Sequence, residues 1–241
     1  MNTTQMLTRL FPQTKNIPEI AKIIEKYSNF GVNTNLRLAH FLAQVREEVG
    51  EEFKPISESL NYSEKALIKY EIDKNTGEKV IKELFKNMTP ELAEKYARDE
   101  DIPITDQVAI ANIAYANRMG NGDMDTDKDG KLDEDDDGWK YRGAGVLQIT
   151  GKDNYSEVQR RIDKYAPTSN IDIILSPKDI HTLEGSILAG LGFWIWKDLH
   201  KIADMGVTEA NVDNITKKIN LYTDSYINRK NHFNKIKDLI N

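Results

Sequence analysis

The chain has 241 residues, 39% of them hydrophobic and 30% charged, with only 7 prolines, which excludes a disordered or low-complexity polymer and leaves room for a buried core. The absence of cysteine excludes disulfides, thiolate metal sites, iron–sulfur clusters and cysteine nucleophiles, so the chemistry rests on carboxylates, hydroxyls, amides or histidines. The net charge of −6 is concentrated: nine acidic residues between Asp123 and Asp137 stand against Lys128 and Lys131, and the rest of the chain is close to neutral. A near-neutral body has no field for gripping nucleic acid, whereas the acidic run is a site that a hard cation can neutralise. Met1 to Gln5 lacks a basic start followed by an apolar stretch, and no run reaches the ~18 apolar residues of a spanning helix. The expectation is a protein made in the cytoplasm without a signal peptide and without stable membrane insertion.

Helical periodicity dominates. Apolar residues return every three or four positions over Ile17 to Tyr27, Leu36 to Val49, Val80 to Phe85, Leu92 to Tyr96, Val108 to Ala116, Ile187 to Trp196 and Ile215 to Ile219. Asn33-Thr34-Asn35 supplies a cap for the second of these, Thr89-Pro90 opens the fourth, and Thr105 precedes the fifth. The β-prone run is Gly145 to Thr150, with Trp139 to Tyr141 read as a strand leading into it. These signals predict one mainly α domain over residues 1–241, with a small hairpin-like element near Gly145. No internal repeat and no Pro/Ser-rich linker marks a second module.

On the Leu36–Val49 helix, about 100° per residue places Leu38, Leu42, Val45 and Val49 on one stripe, with Glu48 on its flank beside Phe41 and Glu47 roughly opposite. Glu48 is thus the half-buried glutamate, and a carboxyl group against apolar neighbours resists ionisation, as a general acid requires. A second glutamate, Glu58, lies on a loop past the helix end at Gly50. A helix glutamate and a loop glutamate are the two groups a glycosidase needs, although each alone reads first as a solvated charge and the pair matters only jointly.

Four segments in order carry a specific resemblance: Phe41-Leu42-Ala43-Gln44-Val45 with Glu48 and Gly50; Glu58-Ser59-Leu60-Asn61-Tyr62-Ser63; Ala116-Asn117-Arg118-Met119-Gly120-Asn121-Gly122-Asp123; and Asp137-Gly138-Trp139-Lys140-Tyr141-Arg142-Gly143 through Gln148-Ile149-Thr150-Gly151-Lys152-Asp153-Asn154-Tyr155. Together they resemble glycoside hydrolase family 19 in its phage-endolysin and bacterial branch. The resemblance implies a mainly α, lysozyme-like, two-lobed helical domain with a groove, and hydrolysis of β-1,4 bonds to N-acetylated sugars. It puts Glu48 on the general acid, Glu58 on the base and Thr150 on a hydroxyl that holds the attacking water. Tyr62, Gln148, Asn154, Asn220 and Arg229 fall on substrate-binding positions. An inverting pair of carboxyls stands roughly 6.5 to 9.5 Å apart to admit water. The chain departs from the family where Glu47 precedes Glu48, where Val49-Gly50-Glu51-Glu52-Phe53 is bulkier and more acidic, where Ala144 replaces an arginine, and where Leu221-Tyr222 replaces paired glycines. The extra carboxylates at Glu47, Glu51 and Glu52 would repel charge from the acid, and they leave Glu47 as an alternative to Glu48.

Asp125 to Asp136 matches the EF-hand calcium loop, with oxygens at Asp125, Asp127 and Asp129, then Gly130, the Lys131 carbonyl, Leu132, Asp133 and a closing Asp136. The implied cofactor is structural Ca2+ in an inserted loop over residues 123–137. The four histidines are dispersed and read as packing or surface residues, and Phe193, Trp194 and Trp196 read as core. The expected function is a monomeric endolysin that cleaves the peptidoglycan glycan strand after release from the cytoplasm. The alternatives are a chitinase and a catalytically silent, calcium-dependent wall-binding protein.

Overall fold

The computed structural model describes residues 1–54, 57–98 and 106–240, with Lys79 described through its backbone alone. In chain order the elements are α1 (Thr3–Leu10), α2 (Ile17–Lys26), α3 (Asn35–Val49), α4 (Glu64–Leu67), β1 (Ile68–Ile72), β2 (Lys79–Glu83), α5 (Pro90–Tyr96), α6 (Gln107–Tyr115), α7 (Asp137–Lys140), α8 (Lys152–Tyr165), α9 (Leu183–Trp196), α10 (Leu199–Ala203), α11 (Glu209–Ile219) and α12 (Tyr226–Ile236). Among the described residues the fold is mainly α with one antiparallel hairpin. Among the described residues no helix is long and apolar enough to cross a membrane. The chain forms two compact units, one of Met1–Ser57, Gly143–Ile149 and Asn154–Asn241, the other of Glu58–Arg142 and Thr150–Asp153.

The first unit is built round α3 and α9. Thr34 caps α3 by accepting from the Arg37 N–H at 3.2 Å, as the sequence predicts. Every residue from Leu38 to Val45 is buried, because α1, α10, α11 and α12 all pack on this helix. Helix α9, capped by Thr182, is buried from Gly185 to Trp194, and Trp194 donates its indole N–H to the Gly31 carbonyl at 3.1 Å. Trp194 and Phe193 are core as expected, whereas Trp196 is only half-buried, with the Lys197 ammonium 3.4 Å from its ring centroid.

The Gly145–Thr150 run forms a tight turn closed by one bridge between Ala144 and Ile149. The hairpin lies elsewhere, where Ile68–Ile72 pairs with Lys79–Glu83 in the second unit. The helix expected over Val80 to Phe85 is therefore corrected to a strand. Asp73 Oδ1 accepts from the N–H groups of Asn75 and Thr76, and this turn returns the chain against its own β1 neighbour, so pairing overrides a short helical period. The strand expected over Trp139 to Tyr141 is helix α7, whose turn closes when the Lys140 N–H donates to the Asp136 carbonyl at 3.1 Å. The Val108 helix is capped by Asp106, and Thr105 lies outside the described residues. The core of this unit gathers Leu60, Leu67, Met88, Ala93, Ile110 and Ile113.

His40 on α3 is fully buried, donates through Nε2 to the Gly206 carbonyl at 3.0 Å and stacks on Phe233 of α12 with centroids 4.3 Å apart. Burial lowers its pKa to about 4, against a smaller opposite effect of the Gly206 bond. The folded state thus takes up this proton less readily than the unfolded chain, so the contribution is complete above about pH 6.5 and is lost as pH falls towards 4. Urea melts should show this site costing about 1 kcal/mol between pH 7 and 5.5, with a shallower loss in His40→Phe. Equal pH slopes in the two proteins would contradict the assignment.

Candidate active site

The sequence-predicted site residues divide between the two units: Glu48, Gln148, Asn154, Asn220 and Arg229 in the first, and Glu58, Tyr62, Thr150 and the acidic loop in the second.

In the first unit, Glu48 sits in the last turn of α3 with its side chain 18% exposed. Its partner is Arg229, whose Nη2 donates to Glu48 Oε1 at 2.6 Å while Nη1 donates to Gln44 Oε1 at 3.0 Å and Nε to Ser225 Oγ at 3.0 Å. Arg229 is 2% exposed, so its charge is removed from water and the carboxylate and two neutral acceptors compensate it. The apolar setting expected for Glu48 is thereby corrected, since its nearest polar neighbour is a buried guanidinium. Gln44 also accepts from Thr216 Oγ1 at 3.3 Å, which ties α11 to the same cluster.

Glu47 does not project into solvent as the helical wheel places it. Helix α12 covers that side of α3, and Glu47 accepts from Asn228 Nδ2 at 3.2 Å and His232 Nε2 at 3.0 Å, one on each oxygen. Burial holds the His232 imidazole below its usual range, with the Glu47 bond acting in the opposite sense. Glu48 differs in that its side-chain hydrogen bond falls on Oε1 alone. The extended helix end is stabilised locally: Glu51 accepts from Arg46 at 2.6 Å and from Gln13 at 2.7 Å, and the Phe53 ring meets Phe11 edge-on at 4.8 Å. Glu47 and Glu51 are thus occupied by their own partners rather than left as bare charges beside Glu48.

In the second unit, Glu58 lies on the loop that the Gln107 side chain holds by accepting from the Leu60 N–H at 3.0 Å. The buried Tyr115 hydroxyl, at the end of α6, donates to Glu58 Oε2 at 2.5 Å. Burial first, and then the hydrogen bond to Glu58, push the Tyr115 phenol well above its usual range, so it is a neutral donor. Burial, and then the nearby Glu58 charge, also raise the half-buried Tyr62 phenol, whose ring meets Phe85 edge-on at 5.6 Å. The sequence reading missed Tyr115 because it falls in an apolar helical run and reads as core.

Thr150 belongs to a segment tied to the same helix end. Asn121 donates through Nδ2 to the Tyr115 carbonyl at 3.2 Å and accepts the Lys152 N–H at 2.9 Å, and the Gly151 N–H donates to the Tyr141 carbonyl at 2.7 Å. Gly151 has φ +89°, and a Cβ there would lie 2.4 Å from Met119 Cβ, so the turn after Thr150 requires glycine. In the first unit Gln148 is itself left-handed, with φ +49°, and its amide donates back to the Gly145 carbonyl at 3.2 Å. Asn154 is half-buried on α8, and Asn220 is exposed at the end of α11.

The acidic loop gathers Asp125, Asp127 and Asp136, each with a carboxylate oxygen within 4.8 Å of the others. Asp136 is fully buried and accepts from the Thr126 N–H, from Asn112 Nδ2 at 3.2 Å and from the Asp133 N–H at 3.0 Å. Gly130 takes the left-handed conformation, φ +86°, that the turn requires. The other proposed ligands are not drawn in: Asp129 Oδ2 meets the Lys131 ammonium at 3.1 Å, and Asp133 Oδ1 accepts from the Asp135 N–H at 2.9 Å. Three close hard oxygens around a glycine turn fit a divalent cation of the calcium type in donor chemistry.

A curated protein of Haemophilus influenzae, named glycosyl hydrolase family 19 domain-containing protein, is 34% identical to this chain over 191 residues, which cover 79% of this chain and 73% of that protein. The chain belongs to glycoside hydrolase family 19. No family model matches it. Family-19 membership makes the chain a glycoside hydrolase with a glycan substrate.

The buried Asp136 carboxylate serves three donors even without an ion, so Asp136→Ala in metal-free buffer should lower stability by about 2 kcal/mol or more in urea melts. Glu134→Ala, at an exposed position of the same loop, should change it by less than about 0.5 kcal/mol. Equal effects would contradict a loop-closing role for Asp136.

Proposed function

We propose that this family-19 hydrolase is an endolysin-type muramidase, cleaving β-1,4 bonds between N-acetylmuramic acid and N-acetylglucosamine in peptidoglycan by an inverting, two-glutamate mechanism. The observation that supports it most is that each glutamate of the motif is oriented by its own buried partner, Glu48 by Arg229 and Glu58 by Tyr115. The order of motifs, resembling the endolysin branch, favours peptidoglycan over chitin.

In this reading Glu48, an ion-pair partner of Arg229 at rest, must first take up a proton on Oε2, and Arg229 on Oε1 then stabilises the carboxylate that is left after the proton passes to the leaving oxygen. The glycosidic C–O bond breaks with that proton delivered to the leaving oxygen. Water adds to the anomeric carbon from the opposite face and gives its proton to Glu58, whose rotamer Tyr115 fixes. Thr150 orients the water. Tyr62, Gln148, Asn154 and Asn220 contact the sugars through their amides and the phenol. Calcium would supply structural rather than chemical support: Asp125, Asp127 and Asp136 would hold it, and Asp129 and Asp133 would have to leave Lys131 and the Asp135 N–H to complete the oxygen set with the Lys131 carbonyl. The loop ends at Asp137, which is 7% exposed and paired with Lys152 at 3.0 Å, two residues beyond Thr150.

Digestion of purified sacculi followed by mass analysis of the new ends tests the reaction. Reducing N-acetylmuramic acid ends are expected. Anhydro ends, cleavage of chitin alone, or no cleavage at all would each overturn the muramidase reading. Glu48→Gln, assayed under conditions where it remains folded despite the lost charge beside Arg229, should lose about 10²- to 10⁴-fold in turnover, Thr150→Ala should lose less, and Glu47→Gln should retain most activity. Near-normal turnover by Glu48→Gln would remove the acid from that position. Calcium at a hundred times its Kd should stabilise the chain by about 2.7 kcal/mol over chelator-treated protein, and identical melts would refute the ion site.

A further inference from the structure

We propose that Tyr222, with Leu221 beside it, is a stacking platform for the glycan strand, an added subsite at the Arg229 end of the first unit; the proposal rests on the glycan-hydrolase reading. Tyr222 is 92% exposed and Leu221 53% exposed, in the loop between α11 and α12. Isolated exposed apolar residues are ordinary, but this pair sits on a braced segment. The Tyr226 hydroxyl donates to the Leu221 carbonyl at 3.0 Å, and Ser225 is fixed through its N–H on Thr223 Oγ1 at 3.2 Å and through its hydroxyl, 2.8 Å from the same Thr223 oxygen. That Ser225 hydroxyl also accepts from Arg229 Nε, and Arg229 holds Glu48.

Ser225 follows Tyr222 by three positions, so their Cα atoms lie at most ~11 Å apart. The backbone that carries the exposed ring is therefore held within a short reach of Ser225, which accepts from the arginine on Glu48. Asn220, exposed in the same loop, adds an amide beside the two apolar side chains. A pyranose presents an apolar face and a rim of hydroxyls, and a flat aromatic ring flanked by an amide matches both. A platform of this kind acts on strands long enough to reach it, so it sets length preference rather than the bond-breaking step.

The test compares the full-length wild type with Tyr222→Ala and Tyr222→Phe on length-fractionated, soluble peptidoglycan glycan strands. Tyr222→Ala should raise KM for long strands about tenfold with little change in kcat, leave KM for the shortest cleavable oligosaccharide nearly unchanged, and be rescued by Tyr222→Phe. Unchanged KM on long strands, an equal loss at every length, or failure of phenylalanine to rescue would overturn the platform while leaving the hydrolase reading intact. A wild-type dimer in sedimentation that Tyr222→Ala converts to monomer would also overturn it, assigning the patch to a second copy of the chain. Absence of glycan cleavage by the wild type would strike the hydrolase reading itself, and the platform with it.

Discussion

A buried arginine needs an anion, and the first unit is organised around that requirement. Arg229 is 2% exposed and spends its guanidinium on Glu48, Gln44 and Ser225, which belong to two stretches of chain nearly 180 residues apart. Removing either charge would leave the other desolvated and uncompensated, at a cost of about 3–5 kcal/mol for a buried pair. The same contact joins α12 to α3, and His40 on Phe233 and Glu47 on His232 and Asn228 extend that seam along both helices. Packing of α12 therefore fixes the rotamer of Glu48, and its Asn228 and His232 hold the neighbouring Glu47 in the same seam.

The second unit orients its glutamate by different chemistry. Tyr115 is a neutral phenol whose burial keeps it protonated, so it can only donate to Glu58. Its backbone carbonyl receives Asn121, which in turn holds Lys152 and the turn after Thr150. Lys152 also binds Asp137 at the end of the acidic loop, so the order of that loop and the position of Thr150 are linked through one lysine. A cation in the loop would thus act on the threonine through ordinary hydrogen-bonded geometry.

Much of this was legible in the sequence because it is local. The cap at Thr34, the stripe through Leu38, Leu42 and Val45, the helix end at Gly50 and the glycine turn at Gly130 each follow from neighbours within one or two turns. Long-range pairing was not. Helix α12 escaped notice because its buried stripe begins with Arg229, followed by Phe233 and Ile236, so a charged residue stands where an apolar one would have marked the face. The wheel for α3 placed Glu47 outside because it could not include α12, and Val80 to Phe85 read as helix because its partner strand lies across a turn. Tyr115 looked like core, which it is, but its hydroxyl has a task that burial alone does not reveal.

The bridge between Arg229 and Glu48 is most directly tested by a double-mutant cycle of Arg229→Met and Glu48→Gln, read by urea denaturation at pH 7. The account predicts a coupling of about 1.5 kcal/mol or more, with the double variant more stable than the sum of the single losses implies. Additivity within about 0.5 kcal/mol would mean that the two side chains do not hold one another, contradicting the central constraint.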